Sequence, residues 1–433
     1  LHLAEAAARM NDLAQAGVTD ADRVRILIQI TGAAAQAGAS ATARPARARA
    51  VQLAAGSGDP SLELAALTSY RAPISWTVAG LGDDATAIEL PLRRALADHR
   101  DADPTTRVWL LVALIFETEN AAAAHGMHEV LAWSAEALEI ARTAADPTAL
   151  CAALNARAYL SLGPDLAAER ETLAAELLSV ARDNGLLGYQ ALAHWFLFMC
   201  ASGRTDLAEA MRQADLAVEH STSGQLAALV HVLQVYQAVL HVLAGRLPEA
   251  ERAYRRLAQQ MADTGMARTA EVALVFELVL AFARDDLSGL TEAMIAVHRI
   301  NPDAMNETLV LCLLDSGRVD EARHQWNQRI PVQRNYYWLA RMALFARAAV
   351  RLGDLDECAR AYRELLPWAG RIAGIDSGSV AFGTVDDALA LLADALSRPE
   401  DAARHRADAH VVLARVAADV SPRSPSPSGG SAA

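Results

Sequence analysis

A chain of 433 residues that is 53% hydrophobic and 21% charged can bury a large core, which excludes disorder throughout. A net charge of −13 excludes a chain that grips a phosphate backbone by itself. All 39 basic residues are arginine, so a P-loop lysine, a Schiff base and a lysine general base are excluded together.

From the N-terminus, the chain opens on Leu1 without a charged region and apolar run, and reads as a fragment of a longer polypeptide with no signal peptide. Residues 1–120 read as irregular helical repeats, broken at 56–60 and 73–84. Within them, Arg44, Arg47 and Arg49 read as a solvated basic helix start. The rings between Tyr70 and Trp76 read as wedges between helices or as a contact site. Glu117 and Glu119 diverge on a helix and read as solvated acids, as do Asp386 and Asp387. His125, His128 and Glu129 form an H-x-x-H-E cluster, but no third zinc ligand stands nearby in sequence. His405 and His410 point apart on a helix. No metal or cofactor is expected.

Residues 121–418 carry a recurring punctuation: Gly203-Arg204-Thr205-Asp206, Gly245-Arg246-Leu247-Pro248-Glu249, Gly317-Arg318-Val319-Asp320-Glu321 and Gly353-Asp354-Leu355-Asp356-Glu357. Weaker copies start at Arg284 and Ser397. Each reads as a turn between antiparallel helices, with glycine in the left-handed position and an acid at the next helix start. A bulky ring follows downstream in several copies, as Tyr254, Trp326 and Tyr362. The spacing brackets the ~34 residues of a tetratricopeptide hairpin. A single hairpin cannot bury its own apolar face, so the expected fold is all-α, a right-handed superhelical array of antiparallel helix hairpins, a tetratricopeptide-like solenoid. The strand-like alternation of Ser379, Val380, Ala381 and Phe382 is isolated.

The apolar run 226–244 carries His231, Gln234, Gln237 and His241 on one face. That stripe makes it amphipathic rather than membrane-spanning, and it is either a solvent face or the lining of a groove. The aromatics Tyr336, Tyr337 and Trp338 read as core wedges or contacts. The glycine-rich stretch 370–383, with Arg371 and Asp376, reads as a long connection or an anion cradle. Cys151, Cys200, Cys312 and Cys358 lie apart in apolar runs and read as small buried hydrophobes in a reducing, cytoplasmic compartment. Residues 419–433, rich in Ser and Pro, are expected to be a disordered tail. No nucleophile–base pattern occurs, so an enzyme is not expected.

Three passages carry a family resemblance: Tyr70-Arg71-Ala72-Pro73-Ile74-Ser75-Trp76, Asn335-Tyr336-Tyr337-Trp338-Leu339-Ala340, and the run from Pro367-Trp368 to Asp376-Ser377-Gly378. With them the chain resembles the C-terminal helical-repeat region of large actinobacterial transcriptional activators of the SARP (bacterial transcriptional activator domain) type. The resemblance covers most of 1–418 and transfers no catalytic or ligand residue. It implies a sensor and oligomerisation module, whose winged helix and STAND-type ATPase lie outside this sequence. Partners would be those linked domains, another protein or a small-molecule ligand, with homo-oligomers allowed and neither nucleic acid nor membrane contacted directly. Thr384 stands where relatives carry proline, a departure expected to loosen the adjoining helix start. The rival reading is a protein–protein scaffold unrelated to transcription.

Overall fold

The computed structural model describes residues 17–75, 86–99, 103–118, 127–224, 226–301 and 305–420. The tail from 421, Trp76, Glu119 and His125 lie outside the described residues.

Helices follow one another along the chain: α1 (Asp20–Gln36), α2 (Ser40–Ser57), α3 (Pro60–Leu67), α4 (Thr86–Asp98), α5 (Pro104–Thr118), α6 (Met127–Thr143) and α7 (Pro147–Leu160). Next come α8 (Ala167–Asp183), α9 (Leu187–Gly203), α10 (Leu207–Gly224), α11 (Ala227–Leu243), α12 (Leu247–Thr264), α13 (Thr269–Ala283) and α14 (Thr291–Ile300). The last are α15 (Asn306–Asp315), α16 (Val319–Asn327), α17 (Trp338–Leu352), α18 (Leu355–Leu365), α19 (Val385–Ala395) and α20 (Pro399–Val420). Consecutive helices pack against one another along the chain, which makes the fold an all-α, tetratricopeptide-like stack of hairpins. Among the described residues the nearest thing to a strand is one isolated bridge, Ile372 to Thr384.

The turns are built on a common plan. Gly245, Gly317 and Gly353 take φ of +72°, +74° and +73°, as expected of glycine there. In the first copy the left-handed residue is Thr205 rather than Gly203, and the weaker copies use Asp285 and Ser397. The amide after each of these six residues closes a Schellman bond: Asp206, Arg246, Asp286, Arg318, Asp354 and Arg398 donate to the carbonyls of Ala201, His241, Ala281, Leu313, Ala349 and Ala393.

Counting five residues on from the left-handed position reaches a buried side chain every time: Ala210, Ala250, Leu290, Ala322, Cys358 and Ala402. All but Leu290 are small, so the second helix can approach the first closely. Tyr254, Trp326 and Tyr362 come four residues later and are buried as wedges.

The core among the described residues has two main parts and a small third cluster of Ala34, Ala35, Ala43 and Ala72. A smaller cluster runs from Val24 to Leu114, and a larger one from Ile74 to Val416. Helix α5 feeds both, with Leu110 and Leu114 in the first and Trp109 and Val112 in the second. No helix among the described residues is long and apolar enough to cross a membrane.

Several polar residues sit differently from the sequence expectation. Arg47 is buried rather than solvated, because it meets Glu117, which is buried too, at 2.6 Å; Arg44 reaches the same carboxylate at 3.1 Å. Asp386 is also buried. Asp387 is tied up locally: Thr384 and Asp387 form a capping box that starts α19, so Thr384 fixes that helix start instead of loosening it. All 4 cysteines are buried and free.

Candidate functional site

The long connection between α18 and α19 packs into the body of the fold. Between α18 and α19 the chain takes a 3-10 turn at Leu366–Trp368 and another at Ile375–Ser377. It is pinned to itself by Ala373 N–H to Gly383 O at 2.9 Å, Phe382 N–H to Ala373 O at 3.0 Å and Val385 N–H to Arg371 O at 2.8 Å. Ile372, Ala373, Ile375, Val380, Ala381 and Phe382 are all buried.

The loop touches helices far away in sequence. Gly378 lies against the Phe198 ring of α9, and Phe382 meets Phe282 of α13 edge-on at 5.0 Å. Gly374 abuts Ala340 of α17. Arg371 donates to the carbonyl of Gly203, at the end of α9, at 3.1 Å. Burying the four large apolar side chains among them at roughly 1.5–3 kcal/mol each stabilises this arrangement by about 6–12 kcal/mol, so the loop is a hub and not a lid.

Five of the residues singled out by sequence meet here. The Tyr336 hydroxyl donates to the carbonyl of Ser377 at 2.5 Å, and Tyr337 Oη lies 3.4 Å from Ser379 Oγ. Trp338 is buried and packs edge-on against Trp368, with Arg334 over its face at 4.3 Å. Arg371 stacks over Trp368 at 4.8 Å. Asp376 is buried, with Oδ1 lacking a hydrogen-bond partner among the described residues.

The α11 stripe is a separate place. Gln234 and Gln237 are exposed, while His231 and His241 are half-buried. Burial lowers the pKa of both histidines, with Arg246 adding to the effect at His241. His231 Nδ1 faces Met266 Sδ at 3.3 Å, and His241 Nδ1 is buried without a partner among the described residues. Both rings therefore favour the neutral form.

Of the H-x-x-H-E cluster, His128 is exposed and Glu129 pairs with Arg93 at 3.2 Å. The passage after Tyr70 is anchored by Asn155, whose side chain accepts from Ile74 N–H at 2.9 Å and donates to Ile74 O at 3.0 Å. Arg71 lies over Trp109 at 4.9 Å. Sequence reasoning missed Arg170, whose charge acts on Asp376, Asn155, which holds the passage after Tyr70, and His405, which meets Tyr362 and Asp386. Helical spacing alone does not mark them, because the groups they meet lie on other elements.

Burial pushes the Asp376 carboxyl up to about 6, against the pull of Arg170 and Arg371. A raised pKa means that the folded state binds the proton more tightly than the unfolded chain does. The resulting stability is present below about pH 4 and is lost as pH rises through about 6. Asp376→Asn keeps the shape and removes the charge. We expect it to be more stable than the parent by up to about 3 kcal/mol at pH 7.5 and by only about half as much at pH 5. Urea unfolding of both proteins at the two pH values checks this; comparing the two cancels the contributions of the histidines. A gap of the same size at both values would refute it.

Chemically the site offers packing and hydrogen bonding. Burial raises the Cys151 and Cys312 thiols to about 12 and Cys358 to about 11, which keeps them protonated and poor nucleophiles.

Fold and site together define an all-α helical-repeat protein whose distant hairpins are joined through a buried connecting loop. No protein-family model matches the sequence, and no curated protein matches it significantly. Among solved structures, a crystal structure of a Rap protein complexed with competence and sporulation factor is similar, at 11% identity and a TM-score of 0.46. The match covers 92% of this chain and 99% of that one. A likeness at that level carries no argument about what this chain binds.

Proposed function

We propose that this chain is the regulatory helical-repeat module of a SARP-type transcriptional activator, acting by binding and not by catalysis. Its occupant would be a partner protein, the activator's own ATPase domain or a small ligand.

One observation carries the reading: the loop between α18 and α19 joins α9, α13 and α17 into one packed unit. An array held through a common hub moves as a body, so a ligand that prefers one arrangement of the hairpins biases all of them. The family resemblance supplies the transcriptional part. The passages that carry it, around Tyr70, Tyr336 and Asp376, are connections crossing between hairpins, where a helical-repeat protein is least interchangeable with others.

The coding sequence contiguous with Leu1 tests the transcriptional reading. An in-frame nucleotide-binding domain preceded by a winged helix is expected; a start codon at Leu1 with neither domain nearby would overturn it. In such an activator, His231→Ala with Gln234→Ala is expected to weaken the promoter response to its inducer several-fold if the α11 face is the groove. Unchanged induction would remove that face.

A further inference from the structure

The first amide of the hub loop leads to a second buried polar group, where α18, α19 and α20 meet. Asp386 Oδ1 accepts from His405 Nδ1 at 2.9 Å, and the Gly370 backbone N–H donates to Asp386 Oδ2 at 2.5 Å. On the other side of the ring, Tyr362 Oη lies 3.0 Å from His405 Nε2. Asp386 and His405 are buried, and three residues beyond His405 the exposed Asp408 brings a carboxylate oxygen within 4.8 Å of both ligand atoms.

We propose that Asp386, His405 and Asp408 form a binding site for a divalent cation of the zinc class, which clamps the terminal hairpin of α19 and α20.

Three features support this. The first is spacing. Two ligands each about 2.1 Å from one tetrahedral cation stand about 3.4 Å apart, so Asp386 and His405, at 2.9 Å, need to separate by only about half an ångström. Asp408 shares a helix face with His405 at i, i+3, and its exposed side chain can swing inward by rotamer change alone.

The second is support behind the ligands. A metal-bound histidine usually donates its other ring N–H to a fixed acceptor, and Tyr362 Oη is placed to accept from Nε2. Without metal, Nδ1 carries the proton toward Asp386 and the Tyr362 hydroxyl donates to Nε2. On binding, the proton sits on Nε2 instead, Nδ1 turns its lone pair to the cation, and no net proton is gained or lost. The Gly370 amide likewise holds the second oxygen of Asp386.

The third is charge. Two carboxylates balance a dication, and the neighbouring guanidiniums of Arg398 and Arg404 are each engaged by Asp401, at 2.5 and 2.6 Å. One imidazole with two carboxylates suits zinc better than calcium or magnesium, which take all-oxygen sets. The exposed Asp408 side leaves a path for entry and room for water as a fourth ligand.

The test uses the full chain stripped with a chelator, with Zn2+ as the ligand and Co2+ as its coloured substitute. One equivalent of Co2+ should give a d–d absorption band that Zn2+ abolishes. Zn2+ at a hundredfold excess over its Kd should raise the unfolding midpoint by about 3–5 °C. Asp408→Ala, at an exposed position, should leave the metal-free midpoint unchanged and abolish both responses. Equal responses in the parent and in Asp408→Ala, which would place the metal elsewhere, or no band and no shift in the parent, would overturn the site.

Discussion

Gly374→Val is expected to destabilise the protein by about 2–6 kcal/mol, enough at the upper end to prevent the C-terminal hairpins from folding. Two independent causes add. Gly374 has a φ of +94°, where a β-branched residue is strained by about 1–3 kcal/mol. A Cβ built there would also stand 2.8 Å from Ala340 Cβ and 3.0 Å from Val380 Cγ2. Neither neighbour can yield: Ala340 Cβ is fixed to the backbone of α17, and Val380 is buried within the same loop. Overpacking adds about 1–3 kcal/mol or more. Gly370→Val is the control, because Gly370 has a similar φ of +80° but nothing within 4 Å of its Cβ position. Urea unfolding of both variants separates strain from contact. If both lose the same stability, the close approach of the loop to α17 counts for nothing and the hub is not tightly packed there.

What was legible in the sequence follows from range. The turns at Gly245, Gly317 and Gly353 are local events in which a left-handed residue, a Schellman bond and a small residue five positions on all lie within one short window. The copy at Gly203 shows where pattern reading slips. Its left-handed residue is Thr205, so the buried small residue moves to Ala210 while Ala208 is left exposed.

The hub was legible only in part. Its glycines and aromatics marked 370–383 and 336–338 as unusual, but what they touch, Phe198, Phe282 and the carbonyl of Gly203, stands about 100 or more residues away in sequence. Asp386 and Arg47 were read as solvated because helical geometry says which face a side chain shares and not what packs on that face. Partners 19 residues away at His405 and 70 residues away at Glu117 decide their burial.

Glu117→Ala is expected to cost about 3–5 kcal/mol, more than the pair with Arg47 contributes. The carboxylate is buried and receives Arg47 Nη1 at 2.6 Å and Arg44 Nη2 at 3.1 Å. Arg47 also donates through Nη2 to the carbonyl of Leu67 at 2.5 Å, so it ties α2 to the end of α3 and to α5 at once. Removing Glu117 strands a guanidinium that is buried and hemmed in by the Tyr70, Trp109 and Phe116 side chains around a cavity of only 10 Å³, room for about one water. Burial already lowers the pKa of Arg47, and the Glu117 charge opposes that shift. Without the acid, the cation must draw in water or pull the α2–α5 junction open. Replacing both charges, as Arg47→Met with Glu117→Leu, removes the stranded charge and should recover most of the loss, although the Leu67 carbonyl then loses its donor. Chemical denaturation of the two single variants and the double variant measures this. If the double variant is as unstable as Glu117→Ala, the cost lies in shape rather than in an unpaired buried charge, and α5 is held to α2 by packing alone.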